Sequence, residues 1–222
     1  MNFFQLIICI FTLGLLCPYE VLHASQKQKH TTNVHRVLSP GGVQAWLVRD
    51  HINPIINFHF AFRGGGALDP DGKEGLAYLA SSLLDEGAGD LDSQSFQRRL
   101  EELSIALRFE TNHDVFQGRL KTLSSNKNQA FTMLKKALNH PRFDEKALNR
   151  IRLQTLAGLR QSSQDPSNVA SMTLDKELFP SHPYGRPIKG TEKSIKAIVK
   201  ADLKNFKKER LARDNLVVGV VG

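Results

Sequence analysis

The side chains whose types and spacing could support chemistry are three hydroxyls on one predicted helix. Tyr78, Ser81 and Ser82 occupy positions i, i+3 and i+4 of a stretch with helical periodicity, so a helix places them on one face. Such hydroxyls could form a small polar pocket for a peptide backbone. The simpler interpretation is that they are ordinary surface or interface residues. Neither Tyr nor Ser is a usual zinc ligand, so the three do not predict a metal centre.

Other residues with catalytic potential form no motif of their own. Apart from His23, the histidines are far apart and include no i, i+4 pair, so we interpret them as surface or capping residues. The glycines at 64–66 lack the Gly-Lys-Ser/Thr of a phosphate loop, which favours a strand-to-helix turn. Glu74 is typical of a first helical turn, where a carboxylate stabilises the positive end of the helix dipole.

Composition indicates a globular chain and argues against nucleic-acid binding. The 222 residues are 41% hydrophobic, which is enough to bury a core. The formal net charge is +8, with the densest basic cluster at residues 204–213. A nucleic-acid interface would require a focused basic face with interleaved aromatic residues, and that pattern is missing here. We therefore interpret it as the solvated face of a helix.

Residues 1–24 predict a secretory signal peptide. Their apolar run at 6–16 is too short to span a bilayer comfortably. Both cysteines, Cys9 and Cys17, lie in this segment, so cleavage would leave no thiol for a disulfide. We expect an exported, periplasmic chain with no stable membrane span and a single domain at 25–222. The alternative is a chain anchored in the membrane through an uncleaved leader.

The remaining pattern predicts an α+β domain. Strands are predicted at 43–48, 55–62, 106–111, 115–123 and 215–221, where apolar residues alternate or run together. Helices are predicted at 74–84, 93–103, 128–138 and 143–162, from 165 onward, and as two short amphipathic segments before the last strand. Strands and helices are interspersed, which favours a mixed, mostly antiparallel sheet with helices packed on it.

Four segments in order resemble the pitrilysin and insulinase family of zinc peptidases. They are Gly-Leu-Ala-Tyr-Leu-Ala-Ser-Ser-Leu-Leu-Asp-Glu-Gly-Ala-Gly at 75–89, Pro-Arg-Phe at 141–143, His-Pro-Tyr-Gly at 182–185, and Asn-Leu-Val-Val-Gly-Val-Val-Gly at 215–222. They occur in the family's order, and the resemblance extends over nearly the whole chain after the leader. The resemblance implies the amino-terminal, insulinase-type half-subunit domain of that family.

The resemblance also implies that the zinc site is lost. Active members carry an inverted motif, H-x-x-E-H, whose two histidines bind zinc while the glutamate activates water, and a later carboxylate completes the site. The resemblance places Tyr78 and Ser82 at the histidines, Ser81 at the glutamate and Gly158 at the later carboxylate. We expect no catalytic residue, metal or cofactor here, and zinc only in a catalytic partner.

The residues that flank the motif are most similar to those of the zinc-less subunits of the family. Such subunits have two similar domains and pair with a zinc-bearing subunit, which implies a similar partner here. This sequence stops where the resemblance places the end of the first domain, so we expect the second homologous domain to be absent. The alternatives are a stand-alone peptide-binding module and a truncated, inactive remnant.

One strand could bind extended peptides. By its order in the chain, segment 106–112 corresponds to the edge strand that pairs with the substrate backbone in catalytic relatives. We therefore name Leu107, Phe109, Thr111 and Asn112 as candidate peptide-binding positions. An ordinary strand is the equally simple interpretation.

Overall fold

A six-stranded mixed sheet forms the centre of the fold in the computed structural model, which describes residues 33–222. The strands are β1 Val34–Leu38, β2 Gln44–Val48, β3 Ile55–Arg63, β4 Ala106–Thr111, β5 Val115–Leu123 and β6 Leu216–Val221. Their spatial order is β1-β2-β6-β3-β5-β4. Only β2 and β6 pair in parallel, and the other neighbours are antiparallel. The prediction of an α+β fold with a mostly antiparallel mixed sheet is confirmed.

Seven α-helices accompany the sheet in the described residues. They are α1 Leu76–Ser81, α2 Ser93–Glu102, α3 Lys127–Asn139, α4 Glu145–Ser163, α5 Pro166–Leu178, α6 Glu192–Ala197 and α7 Lys200–Arg210. The sequence explains several starts. The Asp92 carboxylate accepts from Ser95 N (2.8 Å) to cap α2, and Asp165 caps α5 with Pro166 in its first turn. Within residues 33–222, no helix combines the length and apolarity that crossing a membrane requires.

The core lies between one face of the sheet and the helices. Along β3 and β5 the buried residues alternate, so Phe60, Phe62, Phe116 and Leu120 all point to this face. The Phe60 ring covers Gly118, where an added Cβ would come within 2.2 Å of it. Gly118 is therefore required by close packing of an aromatic ring on the neighbouring strand.

Two elements differ from the sequence prediction. Strand β1 was not predicted because all five of its residues are exposed, so burial leaves no period-two apolar signal. The helix predicted at 74–84 is α1, which ends at Ser81 and continues as turns. Regular bonding reaches Ser82 N, which donates to Tyr78 O (3.1 Å), whereas Leu83 N donates to Ala80 O (3.1 Å) in a tighter turn.

The predicted signal peptide at 1–24, with both cysteines, lies outside the described residues.

Candidate functional site

A buried ion pair positions α1, the helix that carries the substituted motif. Asp69 Oδ2 accepts hydrogen bonds from Gly75 N (3.0 Å) and Ala77 N (3.2 Å), which satisfies free N–H groups at the start of α1. Arg210, the last residue of α7, donates through Nη1 to Asp69 Oδ1 (3.1 Å). The two side chains are only 1% and 11% exposed. Burial raises the pKa of Asp69, and the bonds from α1 and the Arg210 charge oppose that rise.

The pair of Asp69 and Arg210 could not be predicted from the sequence, and it corrects one prediction. Arg210 lies in the basic cluster at 204–213 that we interpreted as a solvated face, yet it is buried against Phe206, 5.0 Å from the ring centroid. It also donates to the backbone carbonyls of Gly65 (3.0 Å) and Leu68. No local signal could have separated Arg210 from its exposed neighbours, because its partners are more than 140 residues away.

The glycines at 64–66 form a turn, as predicted, and the reason is close backbone packing. Gly66 N donates to Asn112 O (2.8 Å) and Gly64 N to Asp114 O, so the run lies against the turn between β4 and β5. A Cβ on Gly65 would come within 2.0 Å of Asn112 O. Glycine is needed here to let two chain segments touch.

The hydroxyls of Ser81 and Ser82 bond back to the helix that carries the substituted motif. Ser81 Oγ donates to Tyr78 O (2.8 Å), and Ser82 Oγ donates to the same carbonyl (3.1 Å). Ser81 is 4% exposed, and the Tyr78 ring lies 5.9 Å from Lys189 Nζ. None of four surface cavities in the described residues is lined by these three. The two serine hydroxyls are therefore already bonded to the Tyr78 carbonyl.

Gly158 lies on the exposed side of α4 with open space around it. An added Cβ would meet nothing within 4 Å. One turn earlier, Thr155 is buried and donates to Ile151 O (2.9 Å).

These residues do not fit zinc. The serine hydroxyls are bonded to a carbonyl, Tyr78 is a poor ligand, and Gly158 offers no side chain. Across residues 33–222, no group of three or more His, Cys, Asp or Glu side chains is arranged to hold a metal ion. No reaction step can be derived through a metal at this position.

An acidic pair just after α1 was missed by the sequence reasoning. Burial raises the pKa of Asp85 to about 6, and neighbouring Glu86 adds to the rise, whereas Arg108 opposes it. Glu86 accepts from both Ser93 and Arg150. Two acids that interrupt an otherwise apolar run could have signalled an unusual environment, but their partners lie on α2 and α4.

Strand β4 forms one edge of the sheet, and α1 packs against it. Asn112 N donates to Val115 O (3.0 Å), which fixes the alternation of the antiparallel ladder. By that alternation, Ala106, Arg108 and Glu110 bond to β5. The backbone groups of Leu107, Phe109 and Thr111 therefore point to the free edge.

The four predicted edge positions thus divide into two kinds. Leu107, Phe109 and Thr111 offer outward backbone groups, and their side chains lie on the core face of the sheet. Asn112 instead belongs to the β4–β5 turn. Its carbonyl accepts from Gly66 N, and its Oδ1 accepts from Val115 N (2.9 Å). Both oxygens of Asn112 therefore already accept hydrogen bonds at the turn, which makes Asn112 a poor position for binding a peptide.

The His-Pro-Tyr-Gly segment fastens a distant loop to the same turn. Tyr184 Oη donates to Asp114 Oδ1 (2.7 Å). Arg186 donates to the carbonyls of Ala67 (2.9 Å) and Asp69 (3.2 Å). Tyr184 therefore ties this segment to the β4–β5 turn, and Arg186, just after it, supports the chain that leads into α1.

A capped helix packed beside an edge strand of a helix-covered sheet is the arrangement expected of an insulinase-type half-subunit, here without ligands at the zinc positions. Residues 47–192 match the family model of the insulinase family, peptidase family M16, and the chain belongs to that family.

Relatives and solved structures agree with this assignment. The chain is 34% identical, over 85% of its length, to the non-peptidase homolog YmxG of Helicobacter pylori. It superposes with a TM-score of 0.82 and 29% identity on the peptidase M16 inactive domain of Pseudomonas fluorescens, covering 86% of this chain. A protease from Helicobacter pylori, at 18% identity and a TM-score of 0.73, shares the fold over 86% of this chain. The chain spans 44% of the length of YmxG and 46% of each solved chain.

Proposed function

We propose that this chain is a catalytically silent M16 homologue that associates with a zinc-bearing M16 subunit in an extracytoplasmic compartment. The catalytic silence is inferred from the residues at the four motif positions. A water-activating zinc site needs at least three ligands and a base. Here two hydroxyls are bonded to Tyr78 O and Gly158 has no side chain.

Two similarities support the silent role. YmxG is described as a non-peptidase homolog, and the Pseudomonas structure as an inactive domain. The scaffold around these positions supports a binding role. The ion pair of Asp69 and Arg210 orders the start of α1, and an edge strand lies beside that helix. The extracytoplasmic location rests on the predicted signal peptide.

The experiment measures cleavage of quenched fluorescent peptides by three samples. These are the chain alone, a zinc-bearing M16 protein from the same genome alone, and their mixture, each with and without a chelator. The proposal expects no cleavage by the chain alone, co-elution of the two proteins in gel filtration, and faster chelator-sensitive cleavage by the mixture. Chelator-sensitive cleavage by the chain alone would overturn the silent role, and separate elution would overturn the pairing.

A second candidate function is binding of extended peptides at the β4 edge. The observation that favours it is the outward alternation of Leu107, Phe109 and Thr111, whose backbone groups form no further backbone hydrogen bond in the described residues. An added strand would bond to these groups whatever its side chains, which suits peptides of loose sequence.

Thr111 allows a clean test of the edge. Thr111→Pro removes an outward N–H, and proline is tolerated on an edge strand when its nitrogen faces away from the sheet. Thr111→Val loses the same hydroxyl bond to Val115 O but keeps the N–H, so it is the matched control.

Binding of a labelled extended peptide is followed by fluorescence anisotropy. We expect weaker binding to Thr111→Pro, unchanged binding to Thr111→Val, and weaker binding of a peptide N-methylated at alternate residues. Equal binding of the methylated and unmodified peptides would show that the edge is not the site.

A further inference from the structure

A second surface of the described chain concentrates positive charge in a concave site that includes none of the four motif positions. A cavity of about 550 Å³ is lined by Lys204, Lys207 and Lys208 of α7 and by His140 and Arg142 of the turn before α4. We call it the lysine cleft. Its remaining lining residues are uncharged: Gly89, Asn139, Pro141 and Phe143. Four permanently charged cations therefore share one recess with no acid in its lining.

The three lysines lie on a single face of α7. Lys207 and Lys208 follow Lys204 at i+3 and i+4, which places like charges beside each other, and such pairs destabilise a helix. Cations in a last helical turn are stabilised by the helix dipole, which accounts for Lys207 and Lys208. Lys204 lies before that turn, and none of the three forms an ion pair with a described residue. Helix stability alone does not explain this face.

Arg142 is held in place opposite the lysines. Its Nε donates to Asp144 Oδ2 (2.6 Å) and its Nη1 to Gly89 O (3.3 Å). Nη2 has no hydrogen-bond partner in the described part of the chain. The next residue, Phe143, has a left-handed φ of 46° and is 1% exposed, so the core fixes the turn that presents Arg142. A pre-oriented guanidinium with a free N–H loses little entropy on binding an anion.

We propose that the lysine cleft binds an acidic segment of a polypeptide, with aspartate or glutamate side chains at alternate positions. Lys204 and Lys208 are one helical turn apart, roughly 5–6 Å between Cβ atoms. Alternate side chains of an extended peptide lie on one side of it, roughly 7 Å apart. Successive carboxylates can therefore reach successive lysines while another approaches Arg142.

Other anions match the cleft less well. A single phosphate is too small to contact cations spread over a helical turn and across a cavity of about 550 Å³. A membrane surface is flat, whereas these cations line a recess. Free phosphate and anionic vesicles are therefore outcomes that the test must separate from peptide binding.

The test compares two triple variants of the 222-residue chain with equal loss of charge. Lys204→Ala, Lys207→Ala and Lys208→Ala together remove the lysine face. The control changes Lys127, Lys135 and Lys193 to Ala, because these exposed lysines lie outside the cleft and form no ion pair in the described residues. The probe is a fluorescein-labelled peptide of alternating Glu and Ser, compared with its Gln-Ser counterpart by anisotropy.

We expect the Glu-Ser peptide to bind the unmodified chain and the control alike, and the cleft variant about tenfold more weakly. That factor follows from losing three exposed ion pairs, each worth a factor of a few. Added salt should weaken binding, since it screens exposed charges. In the unmodified chain, carbodiimide should cross-link the peptide to Lys204, Lys207 or Lys208, which needs no variant to fold.

Equal weakening in both triple variants would show attraction to net charge alone and overturn the proposal. Cross-links only to other lysines would also overturn it. Tighter binding to phosphatidylglycerol vesicles than to the peptide would assign the cleft to a membrane surface. Displacement of the peptide by millimolar phosphate would assign it to a small anion. None of these results depends on whether the chain pairs with a zinc-bearing subunit, so this inference and the proposed function can fail separately.

Discussion

Replacing Asp69 by alanine should destabilise the fold far more than replacing an exposed acid. The variant leaves Arg210 buried beside Phe206 with no carboxylate, and it leaves Gly75 N and Ala77 N without their acceptor. Removing one partner of a buried pair typically costs about 3–5 kcal/mol, because the remaining charge is uncompensated. We expect a loss near the lower end, about 3 kcal/mol, because Arg210 keeps its bonds to two backbone carbonyls.

Urea unfolding followed by circular dichroism measures this loss, with Glu102→Ala as the control. Glu102 pairs with Arg99 on the surface, where both side chains are about half exposed, so its loss should cost less than about 1 kcal/mol. In the double variant Asp69→Ala, Arg210→Met, much of the cost should be recovered, since an apolar side chain leaves no buried charge. A loss for Asp69→Ala as small as that for Glu102→Ala would refute the role given to this pair.

Three further predictions concern single side chains. Burial raises the pKa of Asp85 from its usual 3.8 to about 6. Between these two pH values the folded chain keeps a proton that the unfolded chain has released, so the stability of the fold falls as pH rises through that range. Asp85→Asn should therefore increase the free energy of unfolding at pH 8 by up to roughly 3 kcal/mol and change little near pH 4; parallel pH profiles of urea unfolding would contradict this. Gly158→Ala should stabilise by roughly 0.5–1 kcal/mol in thermal unfolding, because this helical position is open. Gly65→Ala should destabilise by roughly 2 kcal/mol or more, because its Cβ would overlap Asn112 O; an unchanged melting temperature would contradict the close packing there.

The sequence predicted the elements whose burial follows a regular period. The bounds of β4 and β5 match the predicted segments, because buried residues alternate along both strands. Asp92 and Pro166 marked helix starts through local capping chemistry. Strand β1 could not be predicted in this way, because none of its residues is buried.

Long-range contacts explain what the sequence could not reveal about the site. The substituted motif identified α1, but its start is set by Asp69 together with Arg210, 141 residues away. Likewise, Arg142 and Lys204 are separated by 62 positions and meet only in the folded chain. Among the predicted edge positions, only the ladder alternation distinguishes Asn112 from Leu107, Phe109 and Thr111.

The zinc content of the purified chain distinguishes a catalytically silent homologue from a zinc peptidase. After dialysis against zinc and then against zinc-free buffer, elemental analysis compares the unmodified chain with the variant Tyr78→His, Ser82→His, Gly158→Glu. We leave Ser81 unchanged because it is buried and is not at a ligand position. We predict no stoichiometric zinc in the unmodified chain and a gain in the variant, since the three changes restore the family's ligand set. One equivalent of tightly held zinc in the unmodified chain would contradict the silent-subunit account, and no gain in the variant would contradict the placement of Gly158.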